Sequence, residues 1–455
     1  MRSNPRITVV FLHSLGASRR EWDDVIARFS DDTQTVAMDL PGFGDRAREG
    51  YGDVQGVLDD LCRRLADLDL GLWVIVGHSM GGKFATLIAA RARDGAPGLS
   101  GLVGVVLVAG SPPSPEPMDE DRRAEMLTWF DDPTTIEDRA RQFIDANTDA
   151  GLPQDAFQQA LDDFRRSSPD AWRGWLAQGS REDWSVQAGV IPYPALIVAG
   201  AEDGDLGETA QRRCNAPHFR CPQVVVAPKA AHLIPQEQPE PLAVLIRDFA
   251  ETAGGAALPD RFVRLMASER VSDRTRRAML QRHFGPAPSD GGVLTPTQRD
   301  LLTAVIARIL PDVGEPQALA RRLDVGLASG QADGWRFADL PSDAEAWRRG
   351  LDTLAAMSPG FATLGPDRRD AILRALSTGD ADVVDGPGRL SAKAMKLWFE
   401  DVASDAARVW MSLPATWARI GYDGFATGGQ DAVQGYGETA ADRTESWRLP
   451  TERGR

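Results

Sequence analysis

Cysteine, histidine and long apolar runs are all scarce in this chain of 455 residues. The three cysteines, Cys62, Cys214 and Cys221, are odd in number and widely spaced, a pattern that fits a reducing compartment and no disulfide framework. All three fall in the first half. The second half therefore lacks the thiols for an iron–sulfur cluster and has no haem-attachment motif. The five histidines, His13, His78, His218, His232 and His283, leave little material for a metal centre and few candidates for a catalytic base. No apolar run approaches the ~20 residues that span a bilayer. The opening stretch, MRSNPRITVVFLHSLG, reads as a strand and not as an export signal. A cytoplasmic protein with no membrane span is expected. Basic charge is also short: 51 Lys and Arg against 66 Asp and Glu give a net charge of −15. Such a chain repels phosphate backbones, which argues against nucleic acid as a partner.

What is present centres on Leu72–Ala90, LWVIVGHSMGGKFATLIAA. A β-branched apolar run gives way to Gly77-His78-Ser79-Met80-Gly81, and a helix-forming run follows. This is G-x-S-x-G between a strand and a helix, the context that a nucleophile elbow requires. The bland alternative is a strand–turn–helix whose serine is merely small. The glycines permit a turn tight enough to push Ser79 toward positive φ. The helix N-terminus behind Ser79 supplies N–H groups for a developing oxyanion.

Other continuous apolar runs are Ile7–Leu12, Thr35–Met38, Leu102–Ala109, Ala195–Ala199 and Gln223–Ala227. They alternate with helical patterns at Glu21–Phe29 and Asp53–Leu70, which indicates a parallel sheet covered on both faces. Gly42-Phe43-Gly44-Asp45-Arg46-Ala47 matches a dinucleotide fingerprint, but Gly50 and Gly52 interrupt the helix it would need. No cofactor and no metal are expected.

A serine hydroxyl needs a base. His232 is the best candidate because it follows a strand and loop at the carboxyl end of the sheet. His78 lies inside the elbow and faces away from its neighbour, His13 belongs to the loop after the first strand, and His218 and His283 read as surface groups. Asp203 is favoured as the acid behind His232, with Glu202 and Asp205 as close competitors. The Met80 and Leu15 amides are the candidate oxyanion donors. Residues 112–190 begin Pro-rich and become amphipathic, an insertion placed to cover the elbow as a helical cap. Its aromatics, including Trp129, Phe143, Phe164, Trp172 and Trp175, either line a pocket or pack on one another.

Residues 6–250 resemble the α/β-hydrolase fold in its small-esterase and C–C-hydrolase branch, through FLHSLG, DLPGFG, VGHSMGG, VAGAED and AAHLIPQEQPE. The family order of nucleophile, acid and base gives Ser79, Asp203 and His232. The chain departs from that family in two places. Ser14 stands where the family has glycine, and the chain begins almost at the strand before His13, without the family's usual extra N-terminal strand pair, so either the start is trimmed or the sheet has a bare edge.

Glu251–Pro259 (ETAGGAALP) and Gly285–Gly292 (GPAPSDGG) read as linkers on either side of one helix, Asp260–Phe284. Beyond them the pattern is all helical, over about 293–450. Thr295 to Gln298 and Ser342 to Glu345 are capping-box signatures. This half resembles the small-subunit family of gluconate 2-dehydrogenase, over about 258–450, in LTPTQRDLLTAVIARILPD, DGWRFADLPSDAEAWRRGLDTL, LWFEDVASDAARVWMSLPATWARIGYDGFATGG and GYGETAADRTESWRLP. The resemblance implies a partner, a flavin-dependent oxidoreductase of the glucose–methanol–choline type, and no redox cofactor in this chain.

The expected fold class is thus α/β: an α/β-hydrolase parallel sheet with a helical cap, followed by a separate all-α domain. The expected function is a serine hydrolase acting on a small-molecule carboxylic ester or lactone. Two alternatives stand beside it: an accessory or assembly subunit of a flavin dehydrogenase with a non-essential hydrolase half, and a C–C bond hydrolase, which would use the same residues.

Overall fold

The computed structural model describes residues 7–425 apart from 31–32, 51, 69, 256–257, 269, 286–290, 311–313, 331–336, 385 and 423, together with 440 and 443. Most of the expected second linker, the start of the DGWRFADLP stretch and nearly all of GYGETAADRTESWRLP lie outside the described residues. The chain forms two compact units, one running through Leu280 and the other spanning Gln281–Tyr422.

Six strands build the sheet of the first unit: β1 (Ile7–Leu12), β2 (Gln34–Met38), β3 (Leu72–His78), β4 (Leu102–Val108), β5 (Ile191–Gly200) and β6 (Phe219–Ala227). Their order is β2-β1-β3-β4-β5-β6, and every pairing is parallel. β3 and β4 are buried along their whole length, as expected of strands with helices on both faces. Among the described residues, β2 ends the sheet on one side. The order reverses between β1 and β3, with Leu12 paired to Gly77. The loops after these two strands therefore open side by side, at the switch point where open α/β sheets bind ligands.

Helices α1 (Val54–Ala66) and α2 (Met80–Arg93) follow β2 and β3. Asp53 caps α1 through the Gly56 amide, and Val57, Leu58, Leu61 and Leu65 form its buried face. Only short turns, Arg19–Trp22 and Asp23–Ile26, form within Glu21–Phe29, but Trp22 and Val25 point inward as expected. The fingerprint-like GFGDRA closes into a 3-10 turn at Gly44–Arg46 with no helix behind it. The cap contains α3 (Glu120–Leu127), α4 (Ile136–Ala146), α5 (Gln154–Arg166) and α6 (Pro169–Gly174), and α6 runs on into a π-helical turn at Trp175–Gly179.

Two expectations near the end of the first unit need correction. Helix α7 (Pro239–Gly255) continues through Glu251 to Gly255, so the first expected linker is partly helix. Ala250 and Ala253 pack into the core beneath the sheet, which holds this turn helical. The single helix expected at Asp260–Phe284 is two, α8 (Asp260–Ala267) and α9 (Asp273–Phe284). The break is held by Arg276, whose guanidinium donates to Met266 O at 2.7 Å and Val271 O at 2.9 Å. Ser272 Oγ accepts from the Thr275 amide and starts α9.

The second unit is helical throughout its described residues: α10 (Pro296–Ile309), α11 (Pro316–Ser329), α12 (Asp343–Met357), α13 (Pro366–Thr378), α14 (Ala392–Met411) and α15 (Pro414–Ile420). Leu302, Val305, Ile306, Trp347, Leu351 and Trp398 lie at the centre of its core. The Thr295–Gln298 capping box forms reciprocally. The one expected at Ser342 does not. Ser342 is the N-cap of α12, but its side chain accepts no helix amide.

Candidate active site

Ser79 sits at the junction of β3 and α2 with φ 47° and ψ −118°, a conformation that L-residues adopt only under constraint. The constraint is close packing. A Cβ on Gly77 would lie 2.3 Å from Gly81 O, and one on Gly81 would lie 2.5 Å from Leu12 O. Both glycines are thus required by the approach of backbone to backbone. The Ser79 amide donates to Val108 O and its carbonyl accepts from Gly82 and Ser111, so the strained residue is held from three sides.

His232 lies on the loop after β6, and its Nδ1 is 2.8 Å from Asp203 Oδ2. Asp203 in turn accepts from the Asp205 and Leu206 amides through Oδ1. Burial pushes the Asp203 carboxyl up, but the charge and hydrogen bond of His232, with those two amides, outweigh it and the net shift is downward. For His232 burial works downward, and the Asp203 charge and hydrogen bond, aided by Glu116 and Glu21, turn the net shift upward. The two competitors for the acid go elsewhere: Glu202 is exposed, and Asp205 pairs with Arg122 at 3.0 Å.

Ser79, His232 and Asp203 line one cavity of about 290 Å³, together with Ser14 and Leu15 from the loop after β1. Among the described residues, Ser79 Oγ and His232 Nε2 make no hydrogen bond, either with each other or with another group, and the Met80 and Leu15 amides make none either. The elbow with its Met80 amide, the candidate acid, the candidate base and the Leu15 loop thus come from four separate stretches of chain. Ser14 shows no left-handed strain. Its amide and hydroxyl both donate to the Glu21 carboxylate, at 3.0 and 2.6 Å.

The remaining histidines fall where the sequence placed them, with one refinement. His13 Nε2 accepts from the Leu40 amide and Nδ1 donates to Ser14 O. Burial lowers its pKa, in keeping with a neutral ring. His78 is buried, with Nδ1 2.9 Å from Glu21 Oε1 and Nε2 2.8 Å from His232 O. His218 is half-buried and bonded to Gly189 O, and His283 is half-buried beside Phe284, so neither is a bare surface group.

Most cap aromatics pack on one another. Trp129, Phe130, Phe143, Phe164 and Trp172 form a continuous ring cluster. Only Phe143 and Trp175 among them also line the cavity. The cap is fastened to the elbow helix by Lys83, whose buried ammonium donates to Gly179 O and Glu182 O at 2.8 Å each. Burial brings its pKa down to about 8. Sequence reasoning did not anticipate Glu21, Asn147 or Glu116. Asn147 O accepts from the amides of both His232 and Leu233, tying the cap to the base's loop.

The α/β hydrolase family profile matches residues 9–245, more than half of the chain. The chain belongs to the α/β hydrolase family. Residues 296–424 match the profile of gluconate 2-dehydrogenase subunit 3, so the fusion expected from the sequence holds. Among curated relatives of this hydrolase, the biotin biosynthesis bifunctional protein BioHC of Teredinibacter turnerae is 24% identical over 348 residues, 71% of this chain and 55% of that protein. The chain thus spans little more than half the length of that relative. The pimeloyl-acyl-carrier-protein methyl ester esterase of Neisseria meningitidis is 27% identical over 252 residues, 53% of this chain and 93% of that protein. The solved structure of MenH from S. aureus is 19% identical, covers 54% of this chain and 94% of that one, and superposes with a TM-score of 0.43. No helix among the described residues is long and apolar enough to cross a membrane.

Proposed function

We propose that this hydrolase cleaves a carboxylic ester or lactone of a small molecule through Ser79, His232 and Asp203. The reading is carried by one observation: a serine held at φ 47° shares a cavity with an imidazole whose far nitrogen is 2.8 Å from a buried carboxylate. In this reading His232 Nε2 takes the Ser79 proton as Oγ attacks the carbonyl. Asp203 keeps the ring in the productive tautomer and stabilises the imidazolium. The Met80 and Leu15 amides receive the oxyanion, aided by the N-terminus of α2. His232 then gives its proton to the leaving alcohol, and a water repeats the sequence on the acyl-enzyme. The esterase among the relatives supports ester cleavage over C–C cleavage. Labelling the full chain with a fluorophosphonate and mapping the adduct tests the assignment. An adduct on Ser79 is expected; an adduct elsewhere, or none, removes it.

The helical unit is proposed to dock a flavin-dependent oxidoreductase, on the strength of its match to a dehydrogenase subunit. Such an enzyme acting on a cyclic sugar would release a lactone, and tethering would present that lactone to Ser79 at high effective concentration. Affinity capture with the full chain is expected to recover a flavoprotein. Recovery of none rejects the docking role. The cytoplasm is the proposed compartment, since the three cysteines are few, odd in number and widely spaced in the sequence.

A further inference from the structure

The Pro-rich segment after β4 carries a carboxyl group that the reaction above does not use. Glu116 lies in SPPSPEPM. Its amide donates to Ser180 O at 2.8 Å and its carbonyl accepts from Arg123 Nη2 at 3.5 Å, so its backbone is pinned. Its side chain lines the cavity that holds Ser79 and His232. The residue is only 9% exposed, and its Oε2 is buried without a hydrogen-bond partner. Ser111, fully buried and facing the same carboxyl, has an unpartnered Oγ as well. Such atoms are costly to leave unpaired, and folded proteins keep few of them.

The cations near Glu116 are already engaged. Lys83 Nζ is bonded to Gly179 O and Glu182 O. Arg123 donates to Leu176 O, Ser180 Oγ and Glu120. The Glu116 carboxyl therefore stands at the wall of the cavity that Ser79 shares, with the Ser111 hydroxyl buried behind it.

We propose that Glu116, backed by Ser111, forms a substrate subsite that binds an uncharged oxygen, an ether, hydroxyl or carbonyl group lying within a few bonds of the scissile carbonyl. This rests on the hydrolase reading and narrows its substrate class. A carboxylate at this position would be buried with no dedicated counter-ion. Burial is the largest influence on Glu116 and raises its pKa, against smaller downward pulls from Ser111, His232, Lys83 and Arg123. The neutral acid can donate its proton to an acceptor oxygen on the substrate. An anionic group placed there would face the Glu116 carboxyl, while among the described residues the nearby cations Lys83 and Arg123 and the cavity's Arg122 are already engaged. The subsite therefore selects oxygenated, uncharged esters and lactones over both plain alkyl esters and acids.

Two matched ester pairs test this in the full chain, each exchanging one methylene for an ether oxygen. p-Nitrophenyl methoxyacetate is compared with the butyrate, and 2-methoxyethyl acetate with butyl acetate. In at least one pair the ratio of kcat/KM values, ether over alkyl, should fall about tenfold or more in Glu116→Leu, the loss of one hydrogen bond. In Glu116→Gln, whose amide still donates, it should fall less than about threefold. Ratios unchanged in Glu116→Leu in both pairs overturn the subsite. An infrared difference spectrum, wild type minus Glu116→Gln at neutral pH, should show the carbonyl band of a buried protonated acid; its absence overturns the subsite without any substrate. Fluorophosphonate labelling of Ser79 separates the two levels. Labelled Ser79 with unchanged ratios removes the subsite alone, whereas no labelling removes the hydrolase reading and the subsite with it.

Discussion

Buried ionisable groups divide unevenly between the two units. In the first, Glu21, His78, Lys83, Glu116, Arg123, Asp163, Asp203 and His232 all have side chains with little or no exposure. In the second, Asp324 is the one charged side chain buried among the described residues, and it serves the backbone. It accepts from the Val293 and Leu294 amides at 2.7 and 2.8 Å and from Arg299 at 3.2 Å. The shifted groups of the second unit, Arg308, Asp370 and Lys393, belong to exposed surface pairs. Buried, perturbed titratable groups gather where chemistry is done. The contrast supports the proposal that catalysis lies in the sheet unit, whereas the described helical unit has an apolar core with a single buried charge.

Four measurements break or sharpen that contrast. Ser79→Ala should lower p-nitrophenyl acetate turnover by about 10⁶-fold, the scale seen when a triad serine is removed, with the melting curve unchanged. Retained turnover would move the chemistry elsewhere. Asp203→Asn should cost about 10⁴-fold. It should also shift the pH profile: the base form of His232 appears only above its raised pKa, so removing the Asp203 charge moves the rising limb to lower pH. A limb that stays in place would mean that Asp203 does not set the base.

Asp324→Ala should destabilise the helical unit by about 2–4 kcal/mol, since three donors lose one buried acceptor. Denaturant titration reads that loss, and esterase activity in the absence of denaturant should stay at the wild-type level. A matching fall in activity would erase the contrast between the units. The smallest effect is expected for Glu21→Gln. The amide oxygen can still accept from His78, but the charge that holds His78 against the His232 carbonyl is lost. A fall in kcat of about tenfold with KM unchanged marks Glu21 as a positioning residue; equal changes in both would mark it as part of substrate binding.

The local parts of the site were legible because each carries its reason within a few residues. Ser79 is bracketed by glycines that the turn needs, β-branched runs announce the strands, and His232 follows one of them at the carboxyl end of the sheet. The acid was legible through its strand as well, with Asp203 ahead of Glu202 and Asp205. What escaped is held by contacts distant in sequence. Glu21 meets His78 across 57 residues, and Lys83 reaches Gly179 and Glu182 across 96 and 99. Glu116 sits in a proline-rich run whose composition reads as loop, and no periodicity marks its side chain as buried. The break between α8 and α9 was hidden for a related reason: Arg276 looks like surface charge in the sequence, yet its guanidinium is spent on carbonyls at the break. Serine at position 14 taught the opposite lesson. It departs from the family's glycine, and its hydroxyl turns out to be used by Glu21.

Lys83 lies four residues beyond Ser79, one turn along α2. One rigid rod thus carries the nucleophile at its tip and bolts down the roof a turn later. A swing of the whole roof would have to break two bonds to a desolvated ammonium, whereas the Arg122–Asp205 pair at the cavity wall is partly exposed to water. Changes to the roof that widen or narrow the room beneath it would then leave the aim of the serine untouched, and that independence gives this architecture its freedom to change substrates without rebuilding its chemistry.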